Sequence, residues 1–221
     1  MQRRGKRFSN LLGKKRRAGF AEGIREARRK DRLREWGLDA GLDYYSSLLR
    51  ADLGKAVERI IKERGGCRVL DVGCGGGNFL AELKARFGGA VETHGLSLTR
   101  ARNPAIDHRH SGTIENYLFA QKFDLIASSG GVWHSVNKSA ALENICNSLE
   151  TGGVAFIEIG PYTLSEKIRP VRAELQKNGF AIEEVKTSQR VGIAWHIKNI
   201  AGKRANLYRL IRKELKETRG P

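Results

Sequence analysis

Val69-Leu70-Asp71-Val72-Gly73-Cys74-Gly75-Gly76-Gly77-Asn78-Phe79 is the stretch on which the fold turns. It begins as an apolar run interrupted by one acid, the composition of a strand buried on both faces. Glycines follow, where the backbone can approach a ligand with no Cβ in the way. A helical pattern then continues through about Arg86. Strand, glycine turn and helix in that order form the crevice where an open α/β sheet binds ligands. Two common phosphate-binding loops do not fit. The dinucleotide pattern G-x-G-x-x-G requires glycine where Asn78 stands, or a small residue at Leu80 when read from Gly75. The G-x-x-x-x-G-K-[ST] loop is absent.

Outward from this turn, strands and helices alternate. Upstream, Tyr45, Leu48, Leu49, Leu53, Val57, Ile60 and Ile61 recur at helical spacing, and Gly65-Gly66 ends that helix. Downstream, AVETHGLSL reads as a second strand, residues 103–112 as a weak segment, and QKFDLIASS as a buried strand. A helix over 138–149, the strand VAFIEIG, a helix over 164–178 and two strands, FAIEEVKTS and RVGIAWHIKN, follow. Leu207, Leu210, Ile211 and Leu215 predict a last amphipathic helix with a basic opposite face. Strands alternating with helices predict a parallel sheet covered on both faces. The terminal strand pair adds one antiparallel edge strand.

The 221 residues suffice for one well-buried domain with extensions. No run approaches the roughly 18 apolar residues of a membrane span. The basic N-terminus lacks a following apolar segment, so no secretory signal is expected. Cys67, Cys74 and Cys146 cannot all pair and lack zinc-ligand spacing, so free thiols and a reducing, cytoplasmic setting are expected. The net charge of +17 is uneven: residues 1–36 carry +10, 37–199 carry +2 and 200–221 carry +5. The expected division is a basic, partly helical or disordered extension over 1–36, a domain over 37–199, and a basic helix over 200–221. Such ends suit a polyanion, because neutralised phosphates release counterions. An RNA or ribosomal partner is expected on that ground. Arg3, Arg4, Lys6, Arg7, Lys14, Lys15, Arg16 and Arg17, with no acid among residues 1–21, equally suit organelle targeting or a solubility tail.

Gly73, Gly75 and Gly77 behind Asp71 form a G-x-G-x-G pattern that closely resembles the first motif of class I S-adenosylmethionine-dependent methyltransferases. Lys122-Phe123-Asp124-Leu125-Ile126-Ala127-Ser128 resembles that family's fourth strand. Leu149-Glu150-Thr151-Gly152-Gly153-Val154-Ala155-Phe156-Ile157 resembles its turn into the fifth strand, with Thr151 replacing the usual proline. The three signals stand in family order and resemble the branch containing quinone-ring and small-molecule enzymes. The resemblance implies a doubly wound, Rossmann-like, mostly parallel seven-stranded sheet with an antiparallel edge strand, in three α/β/α layers. It implies S-adenosyl-L-methionine as cofactor, Gly73, Gly75 and Gly77 beside its methionine half, and Asp71 orienting its amino end. A carboxylate at a strand end accepts from an ammonium, in agreement.

The sequence departs from the family at two acids. Ser97 stands where a carboxylate usually meets the ribose, and Thr113 where one usually meets the adenine amino group, with Glu115 a possible substitute. A non-catalytic RNA- or ribosome-associated protein on a methyltransferase-like scaffold is the rival reading. Methyl transfer mainly requires alignment of nucleophile and methyl, worth roughly 7–11 kcal/mol. The wall after the fourth strand, Ser128 to His134, is expected to line the site. His134 is placed for proton abstraction, Trp133 for stacking or core packing, and Glu158 and Tyr162 point to the same crevice. His108, His110 and His196 read as ordinary surface or sheet residues, and no metal is expected. The segment lacks the [DN]-P-P-[YF] signature, the Pro-Cys pair and the Lys-Asp-Lys-Glu set. An exocyclic-amine, pyrimidine-C6 or ribose reaction on nucleic acid is thus disfavoured. The acceptor is expected to be RNA-associated or a small molecule.

Overall fold

The computed structural model describes residues 40–98, 103–132, 134–160, 180–185 and 206–212, together with Ala173 and Gln176. A compact unit spans Asp39–Pro221. Its centre is β1 (Cys67–Val72), whose residues are buried but for a half-buried Arg68, as the apolar run predicts. β2 (Val91–Ser97) and β4 (Phe123–Ser128) flank β1 in parallel, and β3 (His108–Ser111) pairs with β2 at one edge. β5 (Leu149–Gly160) lies beside β4. β7 (Asn206–Arg212) runs antiparallel between β5 and the far edge strand β6 (Phe180–Val185). The seven-stranded order is β3-β2-β1-β4-β5-β7-β6.

The expected antiparallel edge is present, where the edge strand β6 pairs antiparallel with β7, itself antiparallel to β5. Two other expectations change. The residues expected to open a last helix, Leu207, Leu210 and Ile211, lie in β7. There Leu207 pairs with Glu158 and Val185, and Ile211 with Val154 and Ala181. A segment that pairs on both sides gains two ladders of hydrogen bonds, which overrides a helical hydrophobic spacing. The sheet therefore extends past the boundary expected at residue 199. The single helix expected from Leu42 is two, α1 (Leu42–Leu48) and α2 (Leu53–Arg64). Arg50 at φ 52° reverses the chain between them. Asp52 then caps α2 by accepting from the Lys55 amide at 2.9 Å. Gly65, left-handed at φ 81°, closes α2. The expected helices at 78–86 and 138–149 are α3 (Asn78–Phe87) and α4 (Lys138–Ser148). Of the helix expected at 164–178, Ala173 and Gln176 are described and both are helical. Residues 1–39, Trp133, Tyr162, the strand expected over 190–199 and the tail after 212 lie outside the described residues.

Alternation along the strands sorts side chains between two cores. Leu70, Val72, Leu96, Phe123, Ile126, Ala155 and Ile157 pack with α4 on one face. Val69, Val91, Leu125, Ala127, Val154 and Phe156 pack with α1, α2 and α3 on the other. The three cysteines are free and buried. No helix among the described residues is long and apolar enough to cross a membrane.

Candidate active site

The glycine turn leaves β1 with Gly73, Gly75 and Gly77 at φ 87°, 51° and 86°, a region that L side chains seldom occupy. Two of these positions are also spatially closed. A Cβ on Gly73 would sit 2.6 Å from the Cα of Gly131, so the turns after β1 and β4 touch backbone to backbone. A Cβ on Gly77 would meet Ile106 at 2.1 Å, and Gly77 opens α3 with no side-chain cap. A helix start without a side-chain cap is a place where backbone amides can meet an anion.

Asp71 is fully buried at the carboxyl end of β1, on the face covered by α1. The Tyr45 hydroxyl donates to both its oxygens, at 3.2 and 3.0 Å, and the Tyr45 ring stacks on Phe79 at 4.4 Å. Burial pushes the Asp71 carboxyl up to about 8, against the opposing Tyr45 hydrogen bond. Burial and Asp71 together raise the Tyr45 phenol, which keeps it a donor. A group held this way gains most from an approaching cation.

Glu158 shares that face. It lies one residue past the last β4 pairing on β5, so it stands at the carboxyl end of the sheet. It is 1% exposed, and its Oε1 has no hydrogen-bond partner among the described residues. Burial raises it to about 7. Tyr44, half exposed on α1, feels the Glu158 charge. Of two consecutive tyrosines on one short helix, Tyr45 thus binds one buried acid and Tyr44 lies within electrostatic reach of the other. The sequence reading missed this pair: their helical spacing marked Tyr45 as core, and nothing local tied it to Asp71, 26 positions away.

The other expected residues divide. The Ser97 side chain, at the end of β2, hydrogen-bonds the Cys74 thiol, whose titration burial raises strongly. Thr113 is half-buried and accepts from Asn116 at 3.0 Å. Glu115 does not substitute for a missing acid, because its carboxylate accepts from the Asn137 amide at 2.7 Å, just before α4. Ser128 is committed as well: its hydroxyl donates to the Val72 carbonyl and accepts from the Val132 amide, both at 3.1 Å. It braces the contact between the two turns rather than facing a ligand. His134 is exposed, and its amide donates to the Gly130 carbonyl at 3.2 Å.

A protein-family model described as "Methyltransferase domain" matches residues 28–210. The chain belongs to this methyltransferase family. The class I resemblance read from the three motifs holds, and the sheet order is that of its fold. A curated relative, the ubiquinone biosynthesis O-methyltransferase of Chelativorans sp. (strain BNC1), is 31% identical over 108 residues, covering 45% of this chain and 42% of that protein. The match thus spans less than half the length of that relative. Among solved structures, the plantazolicin methyltransferase BpumL, in complex with a pentazolic desmethylPZN analog and SAH, superposes with TM-score 0.54 at 13% identity. It covers 86% of this chain and 91% of that one. The CurJ carbon methyltransferase gives 0.55 at 12%, over 82% of this chain and 57% of that one.

The residues present fit the family's cofactor at its amino-acid end. A positive-φ glycine turn, a helix start with no side-chain cap and a buried carboxylate with no cation beside it among the described residues match a zwitterionic methionine. Ser97 and Thr113, which the resemblance implies at the cofactor's sugar and base end, carry hydroxyls where the family usually has carboxylates.

Proposed function

We infer that the protein transfers the methyl group of S-adenosylmethionine to a small-molecule acceptor carrying an ionisable O–H or N–H. The observation that carries this reading is Glu158: a buried carboxylate near neutrality, with a free oxygen, at the end of the sheet where substrates of this fold bind. The cofactor supplies a methyl already activated by a positive sulfur. The protein's part is alignment and proton management. Asp71, braced by Tyr45, holds the ammonium end. The glycine turn and the start of α3 hold the carboxylate end. Ser97 and Thr113 offer hydroxyls to the sugar and base. Glu158 accepts the acceptor's proton through Oε1, because a group poised near 7 is half-ready both to take and to release it. His134, exposed beside the β4 turn, suits the rim. The curated relative and the BpumL match support a small acceptor. The basic ends remain our basis for a polyanionic partner that docks outside the acceptor crevice.

The test supplies full-length protein with tritium-labelled methyl donor and, separately, a panel of phenols, catechols and amines or total RNA. The reading expects label in the small-molecule fraction, lost in Glu158→Gln. Label confined to RNA would overturn it.

A further inference from the structure

On the sheet face opposite Asp71 and Glu158, β2 and β3 bring together side chains that lie far apart in sequence. Glu92 and His94 share this face of β2, and His108 pairs with His94 across to the edge strand β3. One carboxylate oxygen, Glu92 Oε1, meets His94 Nε2 at 3.0 Å and His108 Nε2 at 3.1 Å. The three ligand atoms all lie within 4.8 Å of one another. His108 and His110 are sheet residues as expected, but His108 has the company of two further groups that could ligate a metal.

We propose that Glu92, His94 and His108 form a binding site for a divalent ion of the zinc class, which pins the edge strand β3 to β2. The donor set decides the class of ion. Two imidazoles and one carboxylate suit zinc and its neighbours in the first row, whereas magnesium and calcium prefer oxygen donors. Bonds of about 2.0–2.2 Å in a tetrahedron separate ligand atoms by about 3.3–3.5 Å. The two oxygen–nitrogen separations therefore open by a few tenths of an ångström when an ion replaces the shared imidazole protons.

The surroundings supply what such a site needs. Arg68 Nε donates to the second Glu92 oxygen at 2.9 Å, and Arg68 is tied to the Lys122 carbonyl at 3.0 Å, so the carboxylate is aimed. That guanidinium is also a cost, since it offsets the carboxylate's attraction for a cation. His94 Nδ1 lies 3.2 Å from His110 Nε2, and His110 Nδ1 lies 2.8 Å from the Tyr117 hydroxyl. An ion on His94 Nε2 places the proton on Nδ1, and the His110–Tyr117 chain receives it, the outer-shell support typical of metal-bound histidine. Burial holds His94 well below its ordinary range, at about 4, so it is neutral and ready to coordinate. His94 is rigid, stacked on His108 at 4.2 Å and edge-on to Phe123 at 5.0 Å. His108 and Glu92 have side chains 50% and 41% exposed, which gives the ion a path and leaves room for a water as fourth ligand.

The site is separate from the methyl-transfer crevice. Five residues of β2 part Glu92 from Ser97, roughly 17 Å at 3.3–3.4 Å per residue, and the two sites face opposite sides of the sheet. The proposal stands whether or not the methyl-transfer reading does.

The test uses the full chain without a histidine tag, stripped with chelator at pH 7.5. Zinc is titrated against a chromophoric chelator, and cobalt(II) is added separately as a spectroscopic probe. About one zinc per chain is expected, together with a visible cobalt band of low coordination number. His108→Asn and Glu92→Gln, both at exposed side chains, should each weaken binding at least about tenfold, the loss that even outer-shell changes reach. His134→Asn should leave it unchanged. Hydrogen exchange should show β3 amides better protected with zinc in the wild type and not in His108→Asn. Absence of saturable zinc binding, or equal binding in wild type and both variants, overturns the proposal.

Discussion

Replacing Asp71 with asparagine should make the protein more stable and a poorer ligand binder at once. Buried Asp71 is raised from 3.8 to about 8. An acid whose folded-state value is raised binds its proton more tightly in the native chain than in the unfolded one. Its penalty is absent below about 3.8, grows through the interval and is complete above about 8. At ~1.4 kcal/mol per unit, the rise corresponds to roughly 5–6 kcal/mol. Asp71→Asn removes this penalty while keeping an oxygen for Tyr45, less about 1–3 kcal/mol for a buried amide nitrogen without a partner. Denaturant unfolding of both proteins without ligand, from pH 4 to pH 9, reads the difference directly. Asp71→Asn should gain on the wild type by up to about 1.4 kcal/mol per pH unit and level off near pH 8. Glu158 titrates in both proteins and cancels. The same substitution should weaken S-adenosylmethionine binding about 10- to 100-fold, the value of a charge-assisted hydrogen bond of roughly 1.5–3 kcal/mol. A difference that does not change with pH would refute the burial argument. Undiminished binding would refute the assignment of Asp71 to the ammonium.

Other perturbations have separate readouts. Glu158→Gln should gain stability over the wild type as pH rises from about 4.5 to about 7, because burial raises that acid as well, and its residual methyl transfer should lose the acidic limb of the pH profile, the rise in rate that follows deprotonation of a general base. Equal pH profiles for the two proteins would remove Glu158 from proton transfer. Gly131→Ala places a Cβ 2.1 Å from the Val72 carbonyl, so calorimetric unfolding should show a loss of about 1–3 kcal/mol and binding of the methyl donor should fall with it. Neutralising the eight basic residues of 1–21 to glutamine in the full chain should flatten the dependence of RNA affinity on salt, by about 0.7 in log–log slope for each lost single-strand contact. An unchanged slope would make those charges solubility or targeting devices.

The glycine turn and the strands around it were readable because their information is local. A buried strand, positive-φ glycines and a helix start occupy nine consecutive residues, Val69 to Gly77, and each constrains the next. β7 was misread for the opposite reason. Leu207, Leu210 and Ile211 carry helical spacing, and only pairing with β5 and β6, more than twenty residues away, makes the segment a strand. The break between α1 and α2 hides similarly, in one left-handed Arg50 and the Asp52 cap. At the site, Asp71 could be named from its place before the glycines. Its contact with Tyr45, the isolation of Glu158 and the commitment of Ser128 to Val72 depend on where helices and turns land on the sheet. The histidine cluster is the extreme case: β2 and β3 pair to place His94 beside His108, which no spacing in the sequence announces.

Calorimetric titration of the full-length chain with S-adenosylmethionine tests the central claim most directly. The account predicts one site per chain with a micromolar dissociation constant, abolished by Gly75→Arg. No heat at millimolar ligand with a folded wild-type protein would contradict it.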